Sequence, residues 1–263
     1  MQTSLVFTVA QSKRLIARAV AQMPEVTRAL AEGTVAIAYG TTNAYLVEEI
    51  LGQPIPKGEY VSGRTLPPGM PGHWLGSGKH PEVVLKQGKR VEGVRAVEAL
   101  ADMGPGDVFI KGANALDYAR KVAGLLIGHP TGGTIGAAYG TCVSRKIHLI
   151  IPVGLEKLVC GDLAALSVAS RRPDSHPTAG AVSLFPFTGT IVTEIEALQS
   201  LFGVQAQLYS AGGVAGAEGA VWLLVEGEQE QLDRVLEMHE ELRAEPNLMA
   251  ERREGERSPG RGH

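Results

Sequence analysis

The chain carries only two cysteines in 263 residues, Cys142 and Cys160, with no C-x-x-C pair. A disulfide framework and a cysteine-based metal site are both excluded on that count. The seven histidines (His73, His80, His129, His148, His176, His239 and His263) show no ligand spacing with one another or with carboxylates, so no metal and no cofactor is expected. No stretch approaches the ~18 uninterrupted apolar residues of a membrane span. The short apolar run at residues 5–10 lacks a basic start, so no secretory signal is expected and a reducing cytoplasm is the expected location. Charge of one sign is also missing: 25 basic against 28 acidic side chains give a net charge of -3 and no general attraction to nucleic acid. No G-x-S-x-G elbow, P-loop or G-x-G-x-x-G dinucleotide pattern occurs.

What is present is apolar and rich in glycine. With 44% hydrophobic and 20% charged residues the composition is that of a folded domain. A chain of this length hides roughly 70–75% of its unfolded surface, enough for one or two cores without staples. Glycine stands at 33 residues, about 12.5% against a usual ~7%. Without a collagen period, that excess implies tight turns and close approach of backbone to a ligand.

Along the chain, residues 11–23 place Leu15, Ile16, Ala19 and Val20 at helical spacing, with Lys13, Arg14 and Arg18 off that stripe. Pro24 opens a second helix through Glu32, and Gly33 ends it. Residues 34–38 (TVAIA) read as a buried strand, 39–43 as a turn and 44–51 as helix. The segment 52–80 holds seven Gly and five Pro, long for a connector, with a strand expected over 59–66. A hairpin turning at Gln87-Gly88 and a helix over 92–103 follow. Residues 107–110 and 147–153 are further buried strands, with helix over 132–144 between them. Strands alternating with helices predict an α/β domain with an open, mostly parallel, Rossmann-like sheet over residues 1–175. The polar, proline-bounded segment 171–177 marks a boundary. Beyond it, strand (181–192), helix (194–202), strand (204–210), strand (220–226) and helix (228–242) predict a small ferredoxin-like α+β domain over 178–249. Residues 250–263 have no apolar period and read as a solvated, disordered tail.

Candidate chemistry gathers where these strands end. Gly40, Thr41, Thr42 and Asn43 lead from a strand into a helix, so backbone N–H groups and the helix dipole converge there on a spot suited to an anion; equally, Thr42 or Asn43 serves as an ordinary N-cap. Lys111, Gly112, Asn114 and Asp117 end a second strand, and ligands of open α/β sheets lie beyond the carboxyl ends of the strands. Lys111 suits a phosphate or carboxylate, Asn114 a hydroxyl and Asp117 a base; the alternatives are a solvated strand end and a helix cap. Gly132, Gly133 and Thr134 open a further helix, and Glu156 with Lys157 follows the strand at 147–153. The glycine-dense segment 212–219 precedes a strand and reads as a turn.

The order of these parts resembles the superfamily of type A ribose-5-phosphate isomerase, glucosamine-6-phosphate deaminase and the CoA transferases. In the isomerase a strand leads to Gly-x-Gly-Ser-Thr and a helix, as residues 38–48 do here, then to Asp-Gly-Ala-Asp-Glu and a Lys-Gly-Gly-Gly loop; residues 111–115 (KGANA) and 130–134 (PTGGT) occupy those places. The wording is also similar to the lactate-utilisation (LUD) domain, whose GANAIA and VGxxKIV segments are matched by residues 112–116 and 153–159. The resemblance implies a phosphate- or CoA-binding crevice, but the isomerase acids are replaced by Lys111 and Asn114, and residues 130–140 hold no ionisable side chain except the Tyr139 phenol. Isomerase activity is therefore not carried over. The expectation is a protein that binds a small anionic metabolite (sugar phosphate, nucleotide or acyl-CoA), with Lys111, Asp117 and Glu156 as the ionisable groups if isomerase- or transferase-like chemistry occurs. The competing expectation is a noncatalytic ligand sensor or assembly partner. A homo-oligomer is expected, with neither nucleic acid nor membrane as partner.

Overall fold

A computed structural model describes residues 1–63, 79–172 and 183–248. Strand β1 (Gln2–Phe7) leads into helix α1 (Val9–Ala21), which starts where Thr8 and Gln11 form a reciprocal capping box. Leu15, Ile16, Ala19 and Val20 are buried as the spacing predicts. Helix α2 (Pro24–Glu32) has Pro24 in its first turn and Gly33 at its end. Strand β2 (Thr34–Ile37) follows, then helix α3 (Thr41–Leu51), ended by Gly52 in the left-handed region. The helix thus begins three residues earlier than the sequence predicts, and Thr41, Thr42 and Asn43 form its first turn.

Strands β3 (Val83–Lys86) and β4 (Lys89–Arg90) form the expected hairpin, with Gln87 and Gly88 both at positive φ as a tight two-residue turn requires. The helix expected over 92–103 shrinks to the single turn α4 (Ala96–Ala99). Gly93 at positive φ delays its start, and the Arg145 guanidinium takes the carbonyls of Leu100, Ala101 and Met103 beyond its end. No strand forms in the described part, 59–63, of the segment expected at 59–66.

Strand β5 (Val108–Ile110) is followed by two strands that the sequence pattern does not reveal, β6 (Ala115–Asp117) and β7 (Val122–Ile127). Then come α5 (Gly133–Ser144), β8 (His148–Pro152) and α6 (Leu163–Ala169). The strand expected over 181–192 is two strands, β9 (Ser183–Phe187) and β10 (Thr190–Val192). Helix α7 (Glu194–Phe202), strands β11 (Gln205–Ala211) and β12 (Val221–Glu226), and helix α8 (Gln229–Leu242) complete the described chain.

The architecture is mixed α/β. A six-stranded mixed sheet runs in the order β10-β8-β5-β2-β3-β4, with β10, β8, β5 and β2 mutually parallel and the β3–β4 hairpin antiparallel at one edge. Its central strands are buried along their length, which is why they appear as continuous apolar runs. Strands β6, β7 and β9 form a second, antiparallel sheet, and β1, β12 and β11 a third. The pairings cross the boundary expected at 175–178 in both directions. The first strand joins β12, Gln2 opposite Glu226, while β10 extends the sheet of residues 34–152. One continuous apolar core links residues from Leu5 to Leu242. The expected segment at 173–177 and the tail at 250–263 lie outside the described residues.

Candidate functional site at the carboxyl ends of the parallel strands

Strands β2, β5, β8 and β10 end side by side, and the residues that follow each supply polar groups to one edge of the sheet. After β5, the Lys111 amine donates to the Tyr39 carbonyl at 3.3 Å and forms no ion pair among the described residues. Burial outweighs the attraction of Glu82 and lowers this amine to about 8. Tyr39 lies two residues before α3, whose N-cap, Gly40, offers no side-chain hydrogen bond to the first turn. The Gly40 amide is itself engaged by the Tyr60 carbonyl (3.1 Å). An uncapped helix start and an amine without a carboxylate partner therefore adjoin, two sources of positive potential at one place.

Thr42 and Asn43 are buried. The Asn43 amide donates to the carbonyls of Ala38 (2.7 Å) and Ile110 (3.4 Å), tying the ends of β2 and β5 together, while its Oδ1 is buried without a partner. Gly112 stands against this group: a Cβ there would lie 3.4 Å from the Pro152 carbonyl and 3.9 Å from Asn43 Oδ1. Both are ordinary contact distances, so the ends of β5 and β8 pack closely here without requiring a glycine.

Glu82, which sequence reasoning missed, holds the other side. Its buried carboxylate accepts the Tyr39 and Ala96 amides, both at 3.0 Å. Tyr60, fully buried, donates to the Ile37 carbonyl at 2.6 Å and accepts the Val83 amide at 2.9 Å, fixing the start of β3 beside the end of β2.

After β8 and before α7 lies a second polar group. Glu156 pairs with Lys157 through Oε1, and its Oε2 is buried without a partner. Glu194 is fully buried; its Oε2 accepts the Leu155 amide (2.9 Å) and its Oε1 has no partner. Burial, with the Glu156 charge second, raises the Glu194 carboxyl well above the usual carboxylate range, against the lowering effect of hydrogen bonding from the buried Ser12 side chain and the backbone. Lys13 of α1 is buried here too, and burial, aided by Lys157 and opposed by Glu156, lowers its amine to about 8. The sequence reading sets Lys13 off the apolar stripe of α1, and the structure corrects it: Lys13 is buried, and its place at i with Ile16, Ala17 and Val20 at i+3, i+4 and i+7 is the signal that could have found it. Glu194 carries no comparable signal.

Other predicted site residues lie elsewhere. Asp117 accepts the Arg120 amide (3.1 Å) and pairs with its guanidinium (3.0 Å), closing the β6–β7 turn. Its carboxyl is lowered: hydrogen bonds and charge from Arg120 outweigh burial, the largest single influence. Asn114 accepts the Leu126 amide within the same hairpin. Gly132, Gly133 and Thr134 open α5, with Gly132 close to Phe185 of β9. No hydrogen bond or ion pair joins them to Lys111 or to residues 40–43 among the described residues.

Two surface cavities lie away from these groups. One, of about 250 Å³, is bounded by Tyr139, Cys142, His148 and residues 188–190; the other, of about 320 Å³, by Arg18, Phe202, Arg234 and Met238. No protein-family model, curated protein or solved structure matches the chain.

Proposed function

We propose that the protein binds a small anionic metabolite, a sugar phosphate, nucleotide or acyl-CoA, at the carboxyl ends of β2 and β5, against Lys111 and the first turn of α3. The observation that carries this reading is the Lys111 amine, held by one carbonyl at 3.3 Å, with no ion pair among the described residues, beside an uncapped helix start. A desolvated ammonium that only the more distant charge of Glu82 attracts, with no ion-pair partner among the described residues, is costly, and a bound anion offsets that cost. The finer expectations, a Rossmann-like main sheet, a ferredoxin-like small unit, a cytoplasmic location and a homo-oligomer, belong to the same reading and rest on sequence order and resemblance. Should the protein turn over its ligand, the ionisable groups would be Lys111 and Glu156, since Asp117 is committed to Arg120.

Thermal shift against phosphorylated sugars, nucleotides and CoA esters tests the reading. Stabilisation by one class, lost in Lys111→Met and reduced in Thr42→Ala, supports it; an equal response in wild type and Lys111→Met refutes it. Conversion of the stabilising ligand would reject the sensor alternative.

A further inference from the structure

Helix α6 buries far less than its composition calls for. All of its residues (LAALSVA) are apolar except Ser167, yet only Leu163 and Ser167 are buried, while Ala164, Ala165, Leu166, Val168 and Ala169 are exposed. A helix that is apolar all round is ordinarily enclosed on every side. Here the second sheet encloses one side. Leu163 packs with Ala115 of β6 and Leu184 of β9 in a small cluster separate from the main core, and a Cβ at Gly124 of β7 would lie 3.4 Å from the Leu163 side chain. The opposite face of the helix carries Ala165 with Val168 and Ala169 at i+3 and i+4. Val168 is 65% exposed and Leu166, on its flank, 41%. The apolar surface continues onto the sheet: Leu126 stands two residues beyond Gly124, hence on the same face of β7, and is 48% exposed.

The two ends of this surface carry opposite charge. Asp162, the N-cap, is exposed and uses Oδ1 to accept the amides of Ala164 (2.8 Å) and Ala165 (3.3 Å). Its charge also acts on Arg120, whose guanidinium is already paired with Asp117 at 3.0 Å. At the other end Arg171 is exposed, and its Nε donates to the Ser167 carbonyl at 3.0 Å, which holds the side chain against the last turn. No residue of α6 itself is charged.

An uncharged apolar middle bounded by an acid and a base complements itself when it is reversed. A second copy related by a two-fold axis through the middle of α6 would bring apolar face to apolar face and set each Asp162 opposite Arg171 of the other copy. A parallel arrangement would set like charges together. The small side chains of Ala165 and Ala169 let two such helices approach closely, and an apolar centre with a charged rim is the usual anatomy of a protein interface.

We propose that α6 is the centre of a two-fold interface between copies of this chain, packed antiparallel against its symmetry mate, with Asp162 and Arg171 pairing across it. The proposal rests on the expectation of a homo-oligomer and assigns its contact surface; it does not depend on the anion site of Lys111.

Sedimentation equilibrium of the full chain at micromolar concentration tests it. The wild type is expected to associate, with at least twice the mass of the single chain. Val168→Glu, at an exposed position, is expected to weaken association at least tenfold with unchanged circular dichroism. Asp162→Ser keeps a capping oxygen, removes the charge and is expected to weaken it severalfold. Val214→Glu, at a valine 80% exposed outside α6, is expected to leave it unchanged. With Cys142 buried and the exposed Cys160 replaced by Ser, Ala165→Cys is expected to give a covalent dimer with a short bismaleimide. A wild-type monomer would overturn both the interface and the homo-oligomer expectation. An oligomer that persists with wild-type affinity in Val168→Glu, or fails to cross-link through Ala165→Cys, would overturn the interface alone.

Discussion

Replacing Lys111 by Met should make the protein more stable at neutral pH while abolishing anion binding. The unfolded chain titrates this amine near 10.5 and the folded chain near 8, because burial penalises its charged form. That difference corresponds to at most about 3 kcal/mol of folding free energy at pH 7, reduced because the side chain is only partly buried by area. Methionine has similar length, carries no charge and removes the penalty. The folded value is depressed, so between pH 8 and pH 10.5 the unfolded state binds the extra proton. Wild-type stability therefore rises through that window, and the advantage of the variant closes. Urea denaturation of both proteins at pH 7 and pH 10 measures this directly; in thermal melts the neutral-pH gain should appear as roughly 2 °C or more per kcal/mol. A variant less stable than wild type at pH 7, with a difference unchanged at pH 10, would show that the amine has a stabilising partner within the chain and would refute the reasoning.

Other substitutions probe the supports of the strand ends. Tyr60→Phe removes a buried hydroxyl that bridges Ile37 and Val83 and leaves two backbone groups unpaired, an expected loss of about 2–4 kcal/mol in urea denaturation. Gly189→Ala would place a Cβ 2.7 Å from the Leu149 carbonyl and 3.1 Å from Ile151 Cδ1, which should cost about 1–3 kcal/mol by the same measurement as β10 is pushed off β8. Glu194, raised in the folded state, contributes stability that is present at acid pH and lost as pH rises from its unfolded value near 4.5 through its higher folded value. Glu194→Gln should accordingly flatten the decline in melting temperature over that range, whereas an unchanged pH profile would contradict the assignment.

Much of the central sheet was legible because burial on both faces leaves an unbroken apolar run. Residues 34–38 and 147–153 announce β2 and β8 in this way, and Pro24 and Gly33 mark helix ends by their backbone chemistry. Strands β6 and β7 were not legible. Their hairpin is held by Asn114 and Asp117, whose polar side chains read as site residues when only the sequence is seen. The pairing of β1 with β12 has no local signature, since its partners lie more than two hundred residues apart in sequence and meet only when the core assembles. The same reasoning separates the two polar groups at the strand ends. Lys111 was visible as a cation ending a buried strand. Lys13 and Glu194 lie on helices whose polar residues ordinarily face water, and they are buried because α1 packs across α3, α7 and β8.

The most direct measurement is the position of a bound anion in a crystal of the protein soaked with the metabolite that gives the largest thermal stabilisation. The account predicts its anionic group within hydrogen-bonding distance of Lys111 Nζ and of a backbone N–H in the first turn of α3. An anion seated instead at Gly132–Thr134, or in the cavity beside Arg18 and Arg234, with Lys111 still bound only to the Tyr39 carbonyl, would contradict it.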